Sequence, residues 1–191
     1  ISIAPETKDS EFTWKDFQAR NNNELVAILG NFVNRAVVLT HKYYQGHVPA
    51  LGELDEHANT VLNAINNCKS QIANSIENFR FREALSEAMN LARVGNKYLA
   101  DTEPWKLIKT NPEAVKTIIH LSLQICANLA IALEPFMPFT SNKLFNLLSV
   151  EPLTWEQLGN TEIIKENQLI NKAELLFTRF EDEQVAQQVE K

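Results

Sequence analysis

The chain has 191 residues, with 18 Lys and Arg against 24 Asp and Glu, a net charge of −6. That length supports one domain with a sizeable core that needs no staples, and the acidic balance argues against a non-specific nucleic-acid binder. Its two cysteines, Cys68 and Cys126, are far apart, which leaves no disulfide or zinc spacing and suits a reducing, cytoplasmic setting. Residues 1–150 hold 14 basic and 15 acidic side chains, whereas residues 151–191 hold 4 and 9. The body is thus nearly neutral, with room for a local basic patch. No apolar run approaches the ~18–20 residues of a membrane span, and no signal-peptide pattern opens the chain. With Ile1 in first place, it reads as a piece of a longer polypeptide.

With five glycines and no alternating β-branched runs, the expected fold is all-α, an antiparallel helix bundle. Residues 1–22 read as a polar lead-in, extended or short-helical. Phe12, Trp14 and Phe17 are expected to pack on the body, and Ser10 or Thr13 to cap a short helix. The spacing predicts a first long helix over 23–45, stopped by Gly46. Its core stripe is Leu25, Ile28, Leu29, Phe32, Val33, Ala36, Leu39 and Tyr43. A second stripe of Asn31, Arg35, Val38 and Lys42 shares another face. The next helix is expected over 54–78, with Leu54, Ala58, Val61, Ile65, Cys68, Ile72 and Ile76 in its seam. A third follows over 80–99, with Phe81, Leu85, Ala88, Met89 and Ala92 inward. Asn111 as N-cap, Pro112 in the first turn and Glu113 at the positive end of the dipole announce a fourth helix. That helix is apolar almost all round as far as Leu133, so it is expected to be central. Its His120 reads as a hydrogen-bonded helix residue rather than a catalytic one. A short helix over 141–148 and a capped turn at 154–158 complete a bundle taken as 23–160. Residues 161–191 form an acidic tail or docking segment. Leu169, Ile170, Leu175, Leu176 and Phe177 are expected to return over the bundle, and Glu181 to Lys191 to fray.

The sequence contains no Gly-rich phosphate loop, His/Cys metal cluster or nucleophile elbow. Two polar features remain. Arg35 follows Asn31 by one turn, so a guanidinium fork and a carboxamide face the same way. They either cap neighbouring carbonyls or read planar edges such as nucleobases. The other feature is the stretch from Asn96 to Trp105. Pro104 biases Glu103 away from helix, which places Trp105 at a break, just after a helix rather than within one. Trp105 either plugs a gap between helices or offers its flat face to a base, with Lys97, Lys106 and Lys109 nearby to meet phosphate.

Glu6-Thr7-Lys8-Asp9 with Phe12-Thr13-Trp14-Lys15-Asp16-Phe17 resembles the junction after the catalytic domain of methionyl-tRNA synthetases. Arg20, Asn22, Glu24-Leu25, Gly30 to Arg35 and Tyr44-Gln45-Gly46 continue the likeness. So do Asn96, Tyr98 and Pro104-Trp105, which look like that family's Asn-x-Tyr and Pro-Trp motif, and Leu133 to Pro138. Leu175 through Glu181-Asp182-Glu183 resembles the segment leading to an optional C-terminal module. The resemblance implies the anticodon-binding helix bundle of a class I aminoacyl-tRNA synthetase, with methionine tRNA and the catalytic domain of the same chain as partners and no membrane. It implies that Trp105, placed by Pro104, stacks on the first anticodon base, a cytosine, while Asn31 and Arg35 read neighbouring edges. Lys42, Lys97, Lys106 and Lys109 are candidate phosphate contacts. No catalytic signature occurs here, so no catalytic residue, metal or cofactor is expected in this piece. The parent enzyme would use ATP with Mg2+, and optionally zinc. Two alternatives stay open. One is a helical docking module without RNA contact, favoured if Trp105 lies opposite Asn31 and Arg35. The other is the equivalent domain of a synthetase for valine, leucine, isoleucine or cysteine, against which the Pro-Trp pair argues.

Overall fold

The computed structural model describes residues 6, 9 and 11–189. Ser10, the alternative cap, and the last two residues of the tail lie outside the described residues. The elements are α1 (Trp14–Arg20), a π-helical segment (Asn21–Gly30), α2 (Asn31–Tyr44), α3 (Glu56–Glu77), α4 (Phe81–Thr102), α5 (Pro104–Leu107), α6 (Pro112–Ala132), α7 (Pro138–Leu148), a single 3-10 turn (Trp155–Gln157) and α8 (Asp182–Val189).

The first long helix begins nine residues earlier than the apolar spacing suggests, at Trp14 rather than residue 23. Thr13 caps it by accepting from the Asp16 amide at 3.0 Å. The right-handed helical dihedrals then continue through Arg20, Asn21, Gly30 and Asn31, joining α1, the π segment and α2 in one rod. The rod ends where Gln45 turns left-handed and Gly46 takes φ 85°. A Cβ on Gly46 would lie 2.6 Å from Cε1 of His41, so a glycine belongs there for space as well as for φ. α1 itself buries no residue. Phe12, Trp14 and Phe17 do not pack into the body but stack on one another, Phe12 against Trp14 at 5.1 Å, and Phe17 meets Phe180 at 5.6 Å. The polar face of α1 leaves it nothing to bury but this cluster.

α3 starts at Glu56 because Asp55 accepts from the Ala58 amide at 2.7 Å. Leu54 therefore precedes the helix and stands 44% exposed, outside the seam expected for it. Phe81, the first residue of α4, is likewise outside the core and stacks edge-on against Phe79. α3 and α4 are joined by three residues and so pack as antiparallel neighbours. α6 is the core: every residue from Thr117 to Ala132 is buried. Contrary to the sequence expectation, this helix is long and apolar enough to cross a bilayer, yet 89% of its apolar window is buried inside the fold.

Polar residues on α6 hold the irregular chain that follows α7. Gln124 donates to the Ile164 carbonyl at 2.7 Å and accepts from its amide at 3.1 Å. Asn128 donates to Asn160 O and accepts from the Gly159 amide. His120 is buried, with Nδ1 2.8 Å from the Pro49 carbonyl. A carbonyl only accepts, so Nδ1 carries the proton, and Nε2 takes the Gln124 carboxamide hydrogen. The chain then pairs with residues 46–48 through the His47–Leu169 bridge. Ile170 is buried there, and alternation turns Leu169 outward at 56% exposure. Leu176 and Phe177 pack against the core, whereas Leu175 stays exposed. The tail is docked on the rod: buried Asn22 donates to Phe180 O at 2.8 Å and accepts from Phe180 N at 2.9 Å.

Candidate nucleic-acid interface

The candidate residues sit where α4 ends against the start of α2. α4 stops because Glu103, ahead of a proline, takes left-handed dihedrals (φ 42°, ψ 57°). Pro104 then opens the four-residue helix α5, which reaches the Asn111 cap of α6 through one turn. Trp105 is therefore the second residue of a short helix, not outside one, and the ring is half-buried. Pro104 beneath it is fully inside. Tyr98, the other aromatic of the motif, is buried in α4, and burial with the Asp55 carboxylate nearby raises its phenol well above the usual range.

Arg35 lies over the Trp105 ring, its Cζ 4.9 Å from the ring centroid. The two features thus meet on one side of the bundle, which removes the condition that favoured a docking module. Such a stack contributes roughly 0.5–1 kcal/mol where water has access. Asn31, one turn earlier, is exposed and donates from Nδ2 to Oδ1 of Asn96 at 3.0 Å. Asn96 in turn donates to the carbonyls of Ile28 at 2.9 Å and Ala92 at 3.1 Å. A cleft of about 510 Å³ opens on the other side of Asn31, lined by Asn34, Leu175, Phe177 and Arg179 among others.

The four candidate lysines differ in their surroundings. Lys97 pairs with Asp101 at 2.6 Å and Lys106 with Glu103 at 2.7 Å. Both pairs are at the surface, where they are worth under about 1 kcal/mol. Lys42 lies 5.2 Å from the Tyr43 ring, and Lys109 is exposed. Val38, on the same face as Arg35 and Lys42, is 44% exposed.

Two residues of this site carry more than sequence reasoning assigned them. Asn96 was legible only as part of a motif. Gly95 had one faint signal, a glycine in a helix interior, where it costs about 1 kcal/mol against alanine. An added Cβ there would lie 2.3 Å from the Phe32 ring, so Gly95 is what lets α4 close on α2 at this point.

The chain superposes on the apo form of methionyl-tRNA synthetase from Mycobacterium tuberculosis with a TM-score of 0.83, over 94% of this chain and 37% of that one. At 21% identity this likeness shows the fold, a helical bundle. A family model described as the anticodon binding domain of methionyl tRNA ligase matches residues 48–191, and one described as tRNA synthetases class I (M) matches residues 1–37. A methionine–tRNA ligase from Phocaeicola vulgatus is 58% identical, over 98% of this chain and 28% of its own length. One from Cytophaga hutchinsonii is 59% identical, over 98% and 27%. The chain belongs to the methionyl-tRNA ligase family, as its anticodon-binding domain. It spans less than a third of the length of these relatives. Asn31 and Arg35 fall in the first matched stretch and Trp105 in the second, so the two stretches meet at this site.

Proposed function

We propose that this domain recognises the CAU anticodon of methionine tRNA. The first base, a cytosine, stacks on Trp105, held in place by Pro104, while Asn31 and Arg35 read base edges and Lys42, Lys97, Lys106 and Lys109 meet the phosphates. The observation that carries this reading is the guanidinium of Arg35 lying 4.9 Å over the Trp105 ring. That contact supports the reading because it sets a fork of donors beside an aromatic ring. Both groups suit splayed, single-stranded bases, and each stacked base contributes roughly 1–3 kcal/mol.

On this reading the whole protein is a cytoplasmic methionine–tRNA ligase that uses ATP with Mg2+, and optionally zinc, outside this chain. Its catalytic domain packs on the exposed cluster of Phe12, Trp14 and Phe17. Supporting that placement, the cluster lies within the stretch matched by the class I (M) model and borders a cleft of about 600 Å³ lined in part by Phe12 and Phe17. The test is Trp105→Ala in the full-length protein. Charging of methionine tRNA should fall roughly 5–150-fold, the equivalent of 1–3 kcal/mol, while methionine-dependent ATP–pyrophosphate exchange stays near wild type. Equal loss of both activities refutes the proposal.

A further inference from the structure

The orientation of one carboxamide has a consequence for which bases the site accepts. A planar amide has a donor end and an acceptor end. The donor end of Asn96 is committed twice, to Ile28 O at 2.9 Å and to Ala92 O at 3.1 Å, and a carbonyl takes nothing but a donor. Oδ1 of Asn96 must therefore face Asn31. Only the Nδ2 end of Asn31 can meet it, and the two lie 3.0 Å apart. The acceptor Oδ1 of Asn31 is left pointing away, and among the described residues no donor reaches it. Asn31 is exposed, so this oxygen is open to an incoming ligand.

The lock is built from backbone as well as side chains. Ile28 O belongs to the π-helical segment, and the Asn31 amide bonds back to both Ile28 and Val26. π turns recur at functional sites. Gly95 lets α4 approach closely enough for Asn96 to reach across, since a Cβ there would meet the Phe32 ring.

We infer that Asn96 is a positioning residue that fixes the Asn31 carboxamide with its oxygen outward, so that the site selects a base presenting an exocyclic amine over one presenting a carbonyl at the same place. Cytosine and adenine carry such an amine, and uracil and guanine carry a carbonyl there. The inference rests on the anticodon reading above and adds to it the residue that sets the polarity of the contact. Without Asn96 the Asn31 amide turns over freely and offers either end, so discrimination falls even if binding persists.

The experiment measures binding of the full-length protein to three methionine tRNA transcripts, with anticodons CAU, UAU and CGU. The first-base change to U and the second-base change to G each replace an amine by a carbonyl. Wild type should penalise at least one change by about tenfold or more, which is about 1.4 kcal/mol. Asn96→Ala should reduce that penalty to about twofold or less. Asn96→Asp keeps an acceptor facing Asn31 but loses both donations to backbone, so it should melt lower than wild type and yet keep the penalty. An unchanged penalty in Asn96→Ala overturns the inference. So does a penalty lost in Asn96→Asp as fully as in Asn96→Ala, because Asn96 is then only a brace for the backbone. If Asn96→Ala fails to give helical circular dichroism, Asn96→Asp alone decides, with the penalty kept or lost. A wild-type protein indifferent to both changes overturns the anticodon reading along with this one.

Discussion

Gly95→Ala is the sharpest probe of how the site is assembled. The new Cβ would lie 2.3 Å from both Cε2 and Cζ of Phe32 and 2.7 Å from Cδ2, where ordinary contacts begin at 3.4 Å. The ring must therefore give way by about 1 Å. Phe32 is fully buried, so it has no solvent to move into. Overpacking of this kind costs about 1–3 kcal/mol, and the close approach argues for the upper end. Alanine returns about 1 kcal/mol of helix propensity, leaving a net loss of about 2 kcal/mol. In a domain of this size each kcal/mol moves Tm by about 2–4 °C. The expected result is a Tm lowered by about 4–8 °C in thermal melts followed by circular dichroism. The same shift pushes α4 away from α2, so Asn96 loses reach to Ile28 O and tRNA binding weakens by more than stability alone predicts. A Tm equal to or above wild type, with binding intact, would refute the close-packing argument.

Other outcomes follow from single contacts. Arg35→Ala should weaken binding of the cognate tRNA several-fold while lowering Tm by no more than about 4 °C, because the half-exposed stack on Trp105 contributes roughly 0.5–1 kcal/mol; a larger loss of Tm would make Arg35 structural. Tyr44 has a buried hydroxyl with no hydrogen-bond partner among the described residues, and burial, helped by Glu113, pushes its pKa up to about 12. Tyr44→Phe removes that unpaired group, so urea denaturation should find the variant equal to or up to about 1–3 kcal/mol more stable than wild type. Burial also raises the Cys68 thiol from 9.0 to about 11. The folded state favours the neutral form, so this contribution to stability is full below pH 9 and is lost as pH climbs through 11. Tm plotted from pH 8 to 11 should therefore fall less steeply for Cys68→Ala than for wild type, and parallel curves would exclude the effect.

Much of the bundle was legible because its strongest signals are local. Asn111, Pro112 and Glu113 announce α6 within three residues, and both the cap and the first-turn proline are in place. Gly46 likewise marks the end of the first rod to within a residue or two. The errors share a cause. Leu54 and Phe81 fit their helical stripes by spacing, but they stand at helix ends, beyond the reach of a partner helix. The short helix capped at Thr13 is in place, but with no apolar stripe nothing showed that it runs on into the next helix. The π segment gave no sign, since period-3.6 reasoning has no term for an i to i−5 bond. The membrane test failed in the other direction. An almost uniformly apolar helix can belong to a bilayer or to a core, and only the surrounding helices on α6 decide between them.

The site divides along the same line. Proline stiffness and helical periodicity are properties of neighbours in sequence, so the break at Trp105 and the shared face of Asn31 and Arg35 were accessible from residues alone. The meeting of Arg35 with Trp105 joins residues 70 apart, and it required coordinates. The same is true of Asn96, which makes its bonds 65 and 68 residues away. Its role depends on a hydrogen-bond count that no motif encodes: two carbonyls exhaust its donor end and so decide which atom Asn31 shows the solvent. Removing Asn96 would free the Asn31 carboxamide to offer either end to a base. That is why the polarity of Asn31, rather than its presence, is the property by which this interface should discriminate.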